Sequence, residues 1–330
     1  MNKELFRIFI RFSQRQYDAL DYDPFHPIFK YVSDNASKEG GLWASTLFMA
    51  FYNDGSAYLA FKNHKPLQDM KPDFSKLPIG LQRRNLRGGL IDKYFYMFNR
   101  QVKRYGSIFK FLTHNFTGDK RKDWYLLQET LNSVWGNGRW SSFTLGEMYQ
   151  KVNGLPVLPC NLMNENSSGP RAGLELLMGK AVSKQKDKML QELNDKADVL
   201  FKRAKKKIKT NIPYLRKGHY DYAMMESQLC DTQSLLKGRY YIGRDIDRSQ
   251  ELIIDSYKVA KQLDLKADTI NELWNIRSEV FPHEMLGELN DWVGRDRQAL
   301  TFYKEYKVIA SHKEIHDHFE RIGIRNFFKE

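Results

Sequence analysis

Side chains that can move a proton or meet a phosphate crowd into one stretch of the sequence, residues 218–253. Glu226 and Cys230 stand four apart, so a helix there puts a carboxylate and a thiol on one face. Asp231 follows directly. Further on, Gly238 and Gly243, five apart, precede the alternating charges of Arg244-Asp245-Ile246-Asp247-Arg248, which together read as a structured turn. Glu226, Asp245 and Asp247 are the candidate general bases, and the two aspartates are also of metal-ligand type. For either aspartate alone, a salt bridge to a flanking arginine is the plainer reading. Cys230 is a candidate nucleophile, although small buried packing is the commoner role of a lone cysteine.

Phosphate chemistry needs cations with geometry. Arg83, Arg84 and Arg87 fall within LQRRNLRGG, beside the flexible backbone of Gly88-Gly89. Clustered guanidinium groups suit bidentate phosphate recognition, and a solvated basic loop is the bland alternative. Arg171 and Arg244 are further candidates for the same task. His283-Glu284 with Glu288 lacks the second histidine of a zincin motif, and nothing in the sequence requires a metal or another cofactor.

A helix–turn–helix must position these groups. Trp124, Leu127, Leu131 and Val134 recur at helical spacing, Gly136-Asn137-Gly138 stops the run, and Trp140, Thr144, Met148 and Val152 resume it. The second helix would open with backbone N–H groups exposed beside Arg139, an anion site suited to a nucleic-acid phosphate. Gly136, Asn137, Gly138, Arg139, Trp140 and Ser141 are therefore candidate DNA contacts. An ordinary helix–helix corner has the same pattern. Lys205, Lys206 and Lys207 sit in KRAKKKIK, six basic residues in eight, and are candidates for further polyanion contact.

The other elements follow from periodicity. An amphipathic helix is expected over 3–20, with Leu5, Phe6, Phe9 and Phe12 on one side. Apolar helices are expected over 42–52 and 90–105, and a long connection over 62–80. Pro170 is placed to begin a helix running through Met178. A long helix is expected over 181–210, with Met189, Leu193, Ala197, Leu200, Ala204 and Ile208 in one stripe. Between these helices, the turn-rich stretch after Val152 offers Asn161, Asn164 and Glu165 as polar candidates. The expected organisation is one compact unit, 1–330. It comprises an N-terminal helical part (1–120), a hairpin core and catalytic part (121–300) and a charged helical tail (301–330).

Composition narrows the partners. A net charge of +13 and a pI near 9.4 favour a polyanion, with nucleic acid ahead of membrane. Two cysteines exclude a disulfide framework and a four-cysteine metal site, and fit a reducing compartment. No apolar run reaches the length of a membrane span, and the first residues have no signal-peptide core. A soluble intracellular protein is expected.

Two resemblances add to this reading. VWGNGRWSS resembles the helix-hairpin-helix turn of the DNA glycosylase superfamily, with Gly136, Gly138, Ser141 and Ser142 on matching positions. Trp135 replaces the usual proline and Asn137 the usual apolar residue. Trp140 stands where bifunctional glycosylases carry a Schiff-base lysine, and no aspartate occurs between Asp123 and Asp187. The scaffold thus resembles a glycosylase while the usual catalytic groups are missing.

WGNGRWSSF, GLPV, SSGPRAGLELL, ESQLCDTQSLLKGRYYIGRDIDR and FPHEMLGELNDW together resemble the phage α-glutamyl/putrescinyl-thymine pyrophosphorylases, the amino acid:DNA transferases. The resemblance spans about residues 20–300. It implies a mainly α, helix-hairpin-helix glycosylase-like fold acting in the cytoplasm of an infected bacterial host. The implied substrate is double-stranded phage DNA carrying phosphorylated or pyrophosphorylated 5-hydroxymethyluracil. An amino acid or polyamine would displace the phosphate at the exocyclic carbon, without a cofactor. Two other classes stay open: a glycosylase with unusual catalytic residues, and a DNA-binding protein without chemistry.

Overall fold

The computed structural model describes residues 1–21, 25–67, 72–163, 168–237, 240, 242–265 and 268–281, apart from the side chains of Pro72, Asp73 and Asp247. Among them every regular element is a helix. In chain order these are α1 (Lys3–Asp18), α2 (Phe25–Asp34), α3 (Lys38–Phe51), α4 (Asp54–Asn63), α5 (Leu90–Tyr105), α6 (Ile108–Thr113), α7 (Lys120–Asn132), α8 (Arg139–Lys151), α9 (Gly169–Met178), α10 (Lys186–Lys205), α11 (Tyr222–Leu235), α12 (Arg244–Gln262) and α13 (Asp268–Val280). Two 3-10 segments, Pro72–Lys76 and Leu81–Leu86, lie between α4 and α5. The expected tail over 301–330, together with His283, Glu284, Glu288, Asn164 and Glu165, lies outside the described residues.

The chain divides into two compact units, each assembled from separated stretches. One contains Pro24–Leu158 and Arg248–Phe281. Its centre is α3, where every side chain from Gly41 to Phe51 is buried. A helix that is apolar on all sides can only be covered on all sides, and α2, α4, α5, α6 and α8 all pack on it. Trp43 is fully buried against the rings of Phe95 and Phe98 from α5, and its indole N–H donates to the His64 carbonyl at 3.0 Å. The helix α5 occupies the expected 90–105, since Gly89 and Gly106 bracket it with left-handed backbone that glycine adopts without strain.

In the same unit α4 begins on a dense polar knot. Asn53 caps it, accepting the Ser56 N–H at 3.0 Å and the Ser256 hydroxyl of α12 at 2.9 Å. The Asp54 carboxylate is fully buried, accepts the Ser249 hydroxyl, and takes the Gly55 N–H at 3.1 Å. Burial pushes the Asp54 carboxyl up to about 7, against smaller opposing pulls from these hydrogen bonds and from Arg277.

The other unit contains Met1–Asp23 and Pro159–Asp247. Helix α1 buries Phe6, Ile8, Phe9 and Phe12, and Asn2 caps it through the N–H groups of Glu4 and Leu5. The tightest packing is between α9 and α11. A Cβ on Gly173 would stand 2.1 Å from the Leu229 carbonyl oxygen, and one on Gly169 would stand 2.7 Å from the Cys230 sulfur. Gly169 and Gly173 thus give α9 a close-approach surface for α11. Helix α10 is shorter than the expected 181–210. Its last turn closes through Lys207 N–H and Ile208 N–H onto the Ala204 carbonyl at 2.8 and 2.9 Å, and the chain then turns away.

Candidate active site

In the unit of Met1–Asp23 and Pro159–Asp247, three segments converge on the Tyr240 hydroxyl. Helix α1 and the turn after it bring Gln16 and Asp21, α11 brings Asp231, and the start of α12 brings Arg244 and Asp245. The Tyr240 oxygen is 2.9 Å from Asp245 Oδ2 and 3.2 Å from Asp21 Oδ2. Gln16 Nε2 donates to that hydroxyl at 3.2 Å and to Asp231 Oδ2 at 2.9 Å. Phe12 meets the Tyr240 ring edge-on at 5.6 Å, which closes the apolar side.

Asp21 performs a structural task that its sequence position conceals. Its Oδ2 accepts the Gly243 N–H at 2.7 Å, and its Oδ1 accepts the N–H groups of Asp245 and Ile246 at 3.2 and 3.3 Å. These belong to the first turn of α12 and its lead-in, where N–H groups have no intrahelical acceptor. Asp21 therefore caps a helix more than two hundred residues away and fixes the backbone of Asp245.

Electrostatics separate the acids of this cluster. Burial, then Asp245 and Asp231, push the Asp21 carboxyl well above the usual carboxylate range, with the Gly243 and Ile246 N–H groups pulling the other way. Burial and the same carboxylates also push the Tyr240 phenol up, so it remains a neutral donor. One phenolic hydrogen faces two carboxylates. Asp245 Oδ2, at 2.9 Å against 3.2 Å for Asp21 Oδ2, is the nearer acceptor. Asp245 is also the more accessible acid: its side chain is 23% exposed, and Arg244 Nη1 pairs with its Oδ1 at 3.1 Å. Asp21, by contrast, is fully buried.

Glu226 and Cys230 stand one turn apart on α11, and Cys230 feels the charges of this cluster. Burial first, then Asp231, Glu226 and Asp245, push the Cys230 thiol up to about 12, while Arg244 pulls it down. At neutral pH this sulfur is a thiol, not the thiolate that nucleophilic attack needs. Asp247 lies in α12, but its side chain is outside what the structure describes. Arg171 pairs with Glu175 one turn on, at 3.0 Å, with the two side chains 31% and 20% exposed. Lys205, Lys206 and Lys207 are all exposed at the end of α10.

The glycine turn belongs to the other unit. Helices α7 and α8 pack together across it, and Trp124, Leu127, Leu131 and Val134 are all buried as their spacing requires. Gly136 adopts φ +89°, the left-handed region, and an added Cβ would press on Leu86 and Tyr94. Arg83 reaches this turn. It is 2% exposed, its Nη1 donates to the Gly136 carbonyl at 3.0 Å, and its Nη2 donates to Asn137 Oδ1 at 3.3 Å. Asn137 in turn donates to the Leu131 carbonyl at 3.1 Å. Arg87 ties back to the Ile79 carbonyl at 2.7 Å, and Arg84 is exposed.

Some of the polar groups expected to face an anion are already engaged. The Ser141 hydroxyl accepts the Gly138 N–H at 2.9 Å, and the Asn137 N–H bonds to the Val134 carbonyl at 3.1 Å. Arg139 lies over the Phe143 ring at 4.7 Å, and Trp140 meets Tyr52 edge-on at 5.0 Å. The first turn of α8, opening on Gly138 with Arg139 beside it, is the part of the hairpin suited to an anion.

Several site residues carry no signal in the sequence pattern. Asp21 and Gln16 act through contacts far apart in sequence. Tyr240 stands in the dense stretch, yet nothing in its spacing marks its hydroxyl as the hub. Glu147 and Lys151 form an ion pair along α8 with side chains 2% and 0% exposed, although i, i+4 opposite charges usually mark a solvated face. No group of three or more metal-ligating side chains with metal-site geometry occurs among the described residues.

The helical scaffold of a strongly basic chain thus carries a carboxylate–arginine pair, groups able to accept a proton and to meet an anion. Residues 88–241, just under half of the chain, match the family model described as amino acid:DNA transferase. The protein is thus a DNA-modifying transferase, similar over that span to enzymes named for moving an amino acid onto DNA. No curated protein matches the chain.

Proposed function

We propose that the protein hypermodifies thymine in phage DNA, in the cytoplasm of an infected bacterial host. An amino acid or polyamine attacks the 5-methylene carbon of phosphorylated or pyrophosphorylated 5-hydroxymethyluracil in double-stranded DNA. A C–N bond forms if the nucleophile is an amine, the C–O bond to the phosphate breaks, and phosphate or pyrophosphate leaves with its electron pair. The amine proton passes to a carboxylate.

The observation that carries this reading is the pairing of Asp245 with Arg244 beside Tyr240. Asp245 is the half-buried acceptor for the proton, ahead of Glu226 and Asp247. Arg244 is a guanidinium able to meet the charge that develops on the leaving phosphate. Arg171, in the same unit, is a further candidate for that charge, and exposed Arg84 in the other unit stays a candidate phosphate contact. Arg83 and Arg87 are spoken for by backbone carbonyls, so their contribution is to shape the loop. Cys230 stays a protonated packing residue, and the reaction proceeds without a covalent enzyme intermediate. The hairpin from Gly136 to Ser141, on a helix-hairpin-helix glycosylase-like scaffold, holds a DNA phosphate. The target base leaves the stack to reach a dry pocket.

Product mass tests the proposal. Duplex DNA carrying phosphorylated 5-hydroxymethyluracil is incubated with the enzyme and a mixture of amino acids and polyamines, then digested to nucleosides. A nucleoside heavier than thymidine by the nucleophile less two hydrogens, with release of phosphate, is expected. Abasic sites would mean a glycosylase, and unaltered DNA that is bound tightly at low salt would mean a binding protein.

A further inference from the structure

Along the surface of α1 runs a groove of about 490 Å³, lined by Lys3, Phe6, Arg7, Ile10, Arg11 and Gln14 from the helix and by Lys207 from the end of α10. Among the described residues its lining holds four cations and no acid. Lys3, Arg7 and Arg11 follow at intervals of four, so they succeed one another about 6 Å apart along the axis of α1. The wall that carries Lys207 is fixed in register with α1: Gln14 Nε2 donates to the Lys209 carbonyl at 2.8 Å, and the Lys209 N–H donates to Gln14 Oε1 at 2.9 Å. This two-way amide pairing continues the row of α1 cations into the exposed run Lys205-Lys206-Lys207.

From this we infer that the α1–α10 groove is a second DNA-backbone site, separate from the glycine hairpin, and that it takes consecutive phosphates of one strand. The inference rests on the reading of the protein as a DNA-modifying enzyme. The row from Lys3 to Arg11 spans about 12 Å, enough for about three phosphates at ~3.4 Å of duplex axis each. A membrane surface fits less well. The apolar face of α1, Phe6, Ile8, Phe9 and Phe12, is buried in the protein core, so little of it is left for lipid. Phe6 and Ile10 also line the groove, and apolar surface beside cations strengthens their hold on an anion.

The test uses the full chain and fluorescence anisotropy with an unmodified 30-base-pair duplex, titrated at several salt concentrations. The triple variant R7A/R11A/K207A is expected to bind at least about ten-fold more weakly at low salt. Its slope of log K against log salt should be shallower by about 2.7, or ~0.9 for each phosphate no longer neutralised. The pair R7K/R11K should keep most of the slope. At saturating modified DNA, kcat should be unchanged while KM for DNA rises. K207E, altered only at an exposed side chain, should weaken binding in the same direction and covers the case of a triple variant that does not fold. Wild-type affinity and slope in both R7A/R11A/K207A and K207E would overturn the groove while leaving the transferase reading intact. A wild-type protein that binds no DNA would overturn both. Loss of binding to a poly-glutamate peptide with DNA affinity retained would assign the groove to an acidic protein and overturn the inference.

Discussion

Asp21 accepts the backbone N–H of Asp245 at 3.2 Å, so one carboxylate, fully buried, holds in place another that is half open. The two differ in role because they differ in surroundings. Asp21 also takes the Gly243 and Ile246 N–H groups, and each would be left without that acceptor if the side chain were removed. Asp21→Ala is expected to destabilise the protein by about 2–4 kcal/mol, because orphaned buried donors carry their full desolvation penalty. Asp21→Asn keeps one oxygen for the helix and should recover part of this. Urea unfolding of both variants measures the difference. In the folded fraction, kcat should fall while KM for the amine changes little, the pattern of a residue that positions another.

Arg83 makes a comparable brace in the other unit. Its guanidinium satisfies the Gly136 carbonyl and the Asn137 side chain at once, and it sits 5.4 Å from the Tyr94 ring centre. Lysine has the charge but not the fork. Arg83→Lys should therefore lose about 2–3 kcal/mol of stability, the range for losing hydrogen bonds to a charged group. DNA affinity should drop with it, since the turn carries the opening of α8. Arg84→Ala, at an exposed site, should stay within about 0.5 kcal/mol of the parent. Thermal melts and DNA anisotropy of the two variants side by side check this.

Asp54 makes stability depend on pH. Its carboxyl is raised from 3.8 to about 7 in the folded protein, so the folded state holds this proton more tightly than the unfolded chain. The contribution is fullest below 3.8 and is lost as pH rises toward 7, on the order of 4 kcal/mol in all. Asn at this position keeps an acceptor for the Gly55 N–H and a partner for Ser249 but does not ionise. Asp54→Asn should therefore gain on the parent by several kcal/mol between pH 4.5 and pH 8, measured as the difference in urea unfolding free energy. Parallel curves for the two proteins over that range would remove Asp54 as the source.

How far the sequence reveals this molecule depends on the range of the interaction. Helices α5 and α9 and the α7–α8 hairpin are legible because their signals are local: a glycine at each end of α5, a proline one residue inside α9, glycines at the turn. Apolar periodicity places Trp124, Leu127 and Leu131 in the core correctly. Three arginines within five residues announce a basic loop, yet nothing local distinguishes Arg83, buried under the Gly136 carbonyl, from exposed Arg84. The Asp21 cap is the extreme case, since its donor Gly243 lies 222 positions along the chain. Glu226, Cys230 and Asp245 could be picked out by residue type and spacing. That Asp245 meets Asp21 and Gln16 at a tyrosine hydroxyl could not.

The division of labour between Asp245 and Cys230 gives the sharpest catalytic prediction. In the proposed reaction, attack by an amine on the 5-methylene carbon needs a proton acceptor close to the nucleophile. Asp245 is partly open to solvent, bonded to Tyr240 at 2.9 Å and paired with Arg244, so an approaching amine can reach it. General-base contributions of about 10²–10⁴-fold set the scale of its loss. Asp245→Asn keeps the size and an oxygen acceptor but removes the basicity, and turnover should fall by at least about 100-fold with binding of DNA preserved. The Cys230 thiol is pushed up to about 12 and packs against Gly169, where an added Cβ would come within 2.7 Å of the sulfur. Cys230→Ala should therefore retain turnover within several-fold and remain sensitive to the same competing amines. Single-turnover assays on phosphorylated 5-hydroxymethyluracil DNA separate the two variants. The opposite result, an active Asp245→Asn and a dead but folded Cys230→Ala, would transfer the chemistry from a proton acceptor to a covalent thioether on the 5-methylene carbon. Mass spectrometry of the trapped protein would then find the sulfur bonded to the base.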